Sequence, residues 1–157
     1  MKRFITTLFK RNNAVVEYPI KDTGNFWSVS TAKLEGKPMV VRKNNWCNSI
    51  MNKAEYNYCN GIAFKYIDFD ENGFPTGNES EYINKLEDDL FKICEINNVS
   101  KVAVIITFNG VREYVIYSKT EDLVQSIVPE LKSRYSRYEI TSYTEKDVNW
   151  FAFSEYK

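Results

Sequence analysis

The dipeptide Asn109-Gly110 sits between two runs rich in β-formers, "KVAVIITF" and "VREYVIYS". A two-residue type I′ turn needs positive φ at both central positions, and Asn-Gly supplies them at least cost. The turn sets Phe108 opposite Val111 and fixes the register of the hairpin, and with it which side chains share a face. Val102, Val104, Ile106, Val115 and Tyr117 form one set. Ala103, Ile105, Thr107, Arg112, Tyr114 and Ile116 form the other. The first set is the more apolar, so it is expected to lie under helices.

Helical spacing occurs on both sides of this hairpin. Glu79–Asn97 carries Ile83, Leu86, Leu90, Ile93 and Asn97 on one stripe. Thr120–Tyr135 carries Leu123, Val124, Ile127, Val128 and Leu131, and Pro129 is expected to kink that helix or break it near Val128. "YCNGIAFKYI" from Tyr58 and "RYEITSYT" near the C-terminus read as strands. Alternation points Ile62, Phe64 and Tyr66 to the core, with Ala63, Lys65 and Tyr143 on the second face. From Tyr58 the order is therefore β-α-β-β-α-β. That order predicts an α+β, ferredoxin-like βαββαβ sandwich, an antiparallel sheet with two helices on one face. The expected strand order is last-first-third-second. "FWSVSTAKL" and "PMVVRKN" around "EGK" add an extra N-terminal β-hairpin. Trp46–Lys53 reads as a short helical stretch, and Asp147 is placed to cap a last turn carrying Trp150, Phe153 and Tyr156. Residues 1–25 form a poorly defined arm, and 26–157 a single α+β domain.

Composition limits the chemistry. The 157 residues suit one domain, and 21 basic against 21 acidic residues leave no net charge. Balanced charge argues against duplex DNA or an anionic membrane as partner and disfavours nucleic acid generally. No apolar run reaches membrane-spanning length, and Phe4–Phe9 is too short for a signal-peptide core. The chain has no His, which removes the commonest general base and transition-metal ligand. Cys47, Cys59 and Cys94 show no C-x-x-C spacing and read as buried cytosolic thiols. Glu87, Asp88 and Asp89 are expected on the solvated outer face of their helix. No pattern assembles a nucleophile, a base and an orienting group, so no enzyme and no cofactor is expected.

"DFDENGFPTGNE", Asp68 to Glu79, satisfies the calcium-loop pattern of an EF-hand. In that reading Asp68, Asp70 and Asn72 give side-chain oxygens, Phe74 a carbonyl, and Glu79 a bidentate carboxylate. Against it, the loop is entered from a strand, and Pro75 has no N–H to give to a paired loop. The same residues also make a polar turn in which Asn78 and Glu81 form a capping box and Glu79 meets the helix dipole. This second reading is the expected one, with no metal bound.

Several motifs together carry a resemblance. Trp27 with "LEGKP" and "VVR", "NGFP" before a helix containing "LEDDL", "ITFNGVREYVIY", and D-x-x-W at Asp147–Trp150 follow in order. Over Phe26–Tyr156 the chain resembles the bacterial family known as domain of unknown function 695. The resemblance implies a small cytoplasmic bacterial protein with no assigned activity. In some bacteria this domain is joined to one resembling the regulator of ribonuclease E activity, which implies a regulatory binding role. The family supplies no catalytic residues.

The expected function is a non-enzymatic protein-binding or regulatory module, with its protein partner and oligomeric state left open. Lys65, Arg112, Tyr114 and Tyr143 are expected to form the partner contact on a sheet face of mixed character. The alternatives are a calcium-stabilised domain and single-stranded RNA binding on an open sheet face.

Overall fold

Two tight turns organise the sheet. Glu35-Gly36 has φ of 53° and 78°, and Asn109-Gly110 has 47° and 79°, so both central residues of each turn are left-handed. The structure, a computed structural model, describes residues 27–156, and the expected arm over 1–25 lies outside the described residues. The first turn joins β1 (Trp27–Leu34) to β2 (Lys37–Asn44), and a short α1 (Trp46–Ile50) follows. β3 (Tyr58–Lys65) leads into α2 (Glu79–Glu95), which ends in a 3-10 turn over Ile96–Asn98. β4 (Ser100–Phe108) and β5 (Val111–Ser118) flank the second turn. Then come α3 (Leu123–Arg134), β6 (Glu139–Lys146) and α4 (Phe151–Ser154).

The strands form one antiparallel sheet in the order β1-β2-β4-β5-β3-β6. Read from the other edge, its last four strands run β6-β3-β5-β4, the order expected from the pattern of elements. The extra hairpin lengthens the sheet through the β2–β4 pairing. α3 runs through Pro129 without a break. The proline forgoes one helical hydrogen bond on the exposed side, while Ile127, Val128 and Leu131 hold the helix to the core on either side of it.

α2 and α3 cover one face, but not the one expected. Ile83, Leu86 and Leu90 of α2 and Leu123, Ile127 and Leu131 of α3 pack with Ile62, Phe64, Val102, Ile105, Tyr114 and Ile116. Val104, Ile106, Val115 and Tyr117 lie on the opposite face. The period-two pattern groups these side chains correctly except for Val102 and Ala103, which exchange groups, and it cannot assign a helix to a face when both groups are apolar. Val102 keeps its expected place because a β-bulge between Val102 and Val104 turns both Ala103 and Val104 to the far side.

The far face has a core of its own. Met39, Val41, Ile106, Val115 and Tyr117 are covered by Trp150, Ala152, Phe153 and Tyr156 from the C-terminal segment, with Cys47 of α1 beside them. Trp150 is fully buried and stacks on Tyr117 with ring centroids 4.0 Å apart. Its Nε1 donates to the Tyr56 carbonyl at 2.7 Å. Asp147 holds the segment as the sequence suggests: Oδ1 accepts from the Phe151 N–H at 2.9 Å and Oδ2 from the Ala152 N–H at 3.0 Å.

Candidate functional site

The residues with chemistry gather mainly under α2. Its apolar stripe directs Leu86 to the sheet, and Glu87, next in sequence, emerges at the edge of that stripe. There Glu87 Oε2 accepts from Arg42 at 2.5 Å, Arg112 at 3.2 Å and the Tyr114 hydroxyl at 3.0 Å. The side chains of Glu87 and Arg112 are each 13% exposed, so the clamp sits largely out of water. Burial first, and then the Glu87 charge, raises the Tyr114 hydroxyl well above its ordinary pKa. The phenol therefore keeps its proton and acts as a donor. Arg112 also gives Nε to Thr107 Oγ1 at 3.2 Å. Two guanidiniums and a phenol thus hold one carboxylate in place, an arrangement that fixes a helix to a sheet.

Neighbouring acids behave similarly. Asp89 accepts from the Tyr135 hydroxyl at 2.5 Å and from Arg134 at 3.3 Å, which ties α2 to α3. Of the acids expected on the solvated face, only Asp88 is fully exposed. Glu87 and Asp89 each fall next to a core position and reach across the interface.

Asp70 braces the Asp68–Glu79 loop from within. Asp70 Oδ1 accepts from the N–H groups of Asn72 at 3.0 Å and Phe74 at 2.9 Å. Gly73, at φ 83°, presses against the backbone of Asn109 and Gly110, and a β-carbon there would collide with it. The Gly73 carbonyl accepts from the Gly110 N–H at 3.0 Å. "NGFP" is therefore the joint between this loop and the β4–β5 turn. Asn78 makes no side-chain cap, contrary to the expected capping box. Glu79 is buried, and its Oε2 takes a bond from Arg137 at 3.2 Å rather than standing in solvent at the helix end. With Asp70 holding the turn and Glu79 facing Arg137, calcium at millimolar concentration is expected to leave the melting temperature where a chelator leaves it. An ion bound at a hundredfold excess over Kd would add about 2.7 kcal/mol of stability, a rise of several degrees. Such a rise, abolished by Asp68→Ala, would refute this.

The four residues expected to share a contact surface do not share one. Arg112 and Tyr114 lie under α2, and Tyr114 is fully buried. Lys65 and Tyr143 lie on the opposite face, because Phe64, not Lys65, pairs with Arg112 across the β3–β5 ladder. Tyr143 is buried over Gly61, where a β-carbon would meet its ring, and it donates its hydroxyl to Glu113 Oε1 at 2.9 Å. Lys65 alone is open to solvent. It edges a half-open groove of about 190 Å³ with Ala63, Val111, Glu139 and Thr141. Lys65 Nζ is 3.9 Å from Glu139 Oε2, and the two side chains are 62% and 68% exposed.

Among the described residues, Cys59, Glu145 and Asp147 bring ligand atoms within 4.8 Å of one another. Asp147 is already committed: beyond the two tail N–H groups, its Oδ2 accepts from the Tyr117 hydroxyl at 2.8 Å. Cys47, Cys59 and Cys94 are buried thiols outside any disulfide, as expected. Burial first, then Glu95, pushes the Cys47 and Cys94 thiols up to about 12, so both stay protonated near neutral pH. The pairing of Tyr143 with Glu113 was not foreseen from the sequence. Its only trace there was Gly61, a glycine inside a strand that marks a close approach.

A family model described as a family of unknown function (DUF695) matches residues 25–156. No curated protein and no solved structure matches the chain.

Proposed function

We propose that this chain, which belongs to the DUF695 family of unknown function, is a non-enzymatic module that binds a partner protein in the groove between Lys65 and Glu139. The groove carries this reading. Its volume of about 190 Å³ falls below the roughly 300–1,000 Å³ of sites built for small molecules and cofactors. It suits one or two side chains of a peptide. Ala63, Val111 and Thr141 offer a mostly apolar floor, and one charge of each sign stands at its rim. The fitting occupant is a protein segment with an apolar side chain flanked by an acidic and a basic residue. The loose Lys65–Glu139 pair costs little to open, since exposed ion pairs contribute about 0–1 kcal/mol.

Other features support the reading. Glu87 and Asp89 are held in clamps and the Cys47 and Cys94 thiols stay protonated, which is poor provision for catalysis. We read the sheet and its two covering helices as ferredoxin-like, supported by the order β6-β3-β5-β4. One sheet shared by two cores supports taking residues 26–157 as a single domain. RNA binding by a ferredoxin-like module needs an open face opposite the helices, and here Trp150 and Phe153 cover much of it. A cytoplasmic location agrees with buried cysteines that form no disulfide, and no helix among the described residues is long and apolar enough to cross a membrane.

The test uses the full chain as bait in a lysate of its source organism, with any retained protein then purified and rebound. Lys65→Glu with Thr141→Arg should abolish rebinding while leaving the melting temperature unchanged. Undiminished rebinding by this variant would place the contact elsewhere.

A further inference from the structure

Just past the strand that carries Lys65 stand two large apolar side chains open to water, Ile67 and Phe69, at 49% and 44% exposure. Single exposed hydrophobics are ordinary on a protein surface, so their surroundings decide what they mean. The Phe69 ring lies over Gly110, where an added β-carbon would sit 3.0 Å from two of its atoms. The Tyr66 N–H donates to the Gly110 carbonyl at 2.7 Å. Gly110 runs into Val111, which lines the Lys65 groove and pairs with Lys65 across the β3–β5 ladder. The backbone that forms the groove wall therefore also carries the Phe69 ring. One side of that ring braces the turn, and nearly half of the residue stays in water. Groove and shelf are neighbouring parts of one apolar surface, and contiguous apolar surface rimmed by charge marks an interaction site.

The rim has a sign. Asp68 stands between the two apolar residues and Glu71 two positions after Phe69, and both are exposed. Glu139 at the groove edge is a third exposed carboxylate, and Asp70 is half-buried between the others. The bases beside them are Lys65, loosely set against Glu139, and Lys37, which gives its Nζ to Asn109 Oδ1 at 2.6 Å. Four carboxylates thus face two ammonium groups here, although the whole chain carries no net charge. A complementary partner brings positive charge to this end of the sheet.

We propose that the partner segment carries two bulky apolar side chains, one seated in the Lys65 groove and the other on the Ile67–Phe69 shelf, and that its charges beyond the groove are basic. The inference rests on the groove as the binding site and names the chemistry of what enters it. An acidic residue meets Lys65, and a basic one meets Glu139. Further lysines or arginines meet Asp68 and Glu71. The shelf supplies a second anchor, which a groove of one or two side chains lacks.

The probe is the synthetic peptide acetyl-Glu-Val-Lys-Phe-Lys-Lys-amide, titrated into the isotope-labelled full chain and followed by the amide resonances. Signals of Lys65, Phe69, Gly110 and Thr141 are expected to move together, with affinity falling as salt is raised. Glycine in place of the peptide phenylalanine should abolish the shift at Phe69. Asp68→Asn with Glu71→Gln should weaken binding about fivefold, the worth of two exposed ion pairs, at unchanged melting temperature. Shifts at Lys65 and Thr141 with none at Phe69 would overturn the shelf and leave the groove standing. Shifts at Phe69 alone would overturn the groove and with it this inference. Equal binding by a peptide with glutamate for its last two lysines would overturn the basic partner. Signals that move with protein concentration alone would put a second copy of the chain on this surface and overturn it as well.

Discussion

Trp150→Ala is expected to cost about 4 kcal/mol of folding stability, within the range for removing a large buried aromatic. The indole is fully buried and supplies much of the cover over Tyr117 and the neighbouring strands. Its removal opens a cavity. It also leaves the Tyr56 carbonyl without the Nε1 donor at 2.7 Å, which adds a desolvation cost. Trp150→Phe retains a ring and loses only the hydrogen bond and part of the area, so it should cost less than half as much. Urea denaturation of both variants checks this. A loss below about 1 kcal/mol for Trp150→Ala would mean that the C-terminal segment is not part of the cooperative core.

The second large effect concerns Glu87. Glu87→Leu leaves Arg112 and the Tyr114 hydroxyl under the helix without their shared acceptor. Removing one member of a buried ion pair costs about 3–5 kcal/mol. The lower end applies, because Arg42 is 33% exposed and can turn to water. About 3 kcal/mol is therefore expected from denaturant unfolding. Asp88→Ala, next along the helix on the exposed face, should stay within about 0.5 kcal/mol. Glu87→Leu combined with Arg112→Met should recover part of the loss, since no unpaired charge is then buried. Equal effects for Glu87→Leu and Asp88→Ala would show that the clamp contributes nothing.

Local rules carried much of the architecture. Asn109-Gly110 fixed a hairpin, the 3.6-residue stripes located both long helices, and their alternation with strands ordered four strands of the sheet. These are short-range patterns, and they survive folding because each agrees with what its neighbours require. The candidate site was less legible. Whether Tyr114 or Tyr117 faced the helices depended on which of two apolar faces the helices chose, and that depends on where Trp150 packs. Glu87 and Asp88 look alike as neighbours in sequence, yet about 100° of helical rotation puts one against two arginines and the other in water. Glu79 read as a residue for the helix dipole, but Arg137, far along the chain, draws it inward. Partners remote in sequence decide such cases.

The bulge at Ala103 sets the phase of β4. Before it, even-numbered residues such as Ser100 and Val102 look toward the helices; after it, odd-numbered residues such as Ile105 do. One strand therefore carries two patterns joined at a single alanine. Loss or gain of one residue elsewhere in β4 would exchange side chains between the two cores for the rest of that strand. At the bulge itself such a change can be absorbed locally. The fold has one place along this strand where its length can drift without scrambling both interiors.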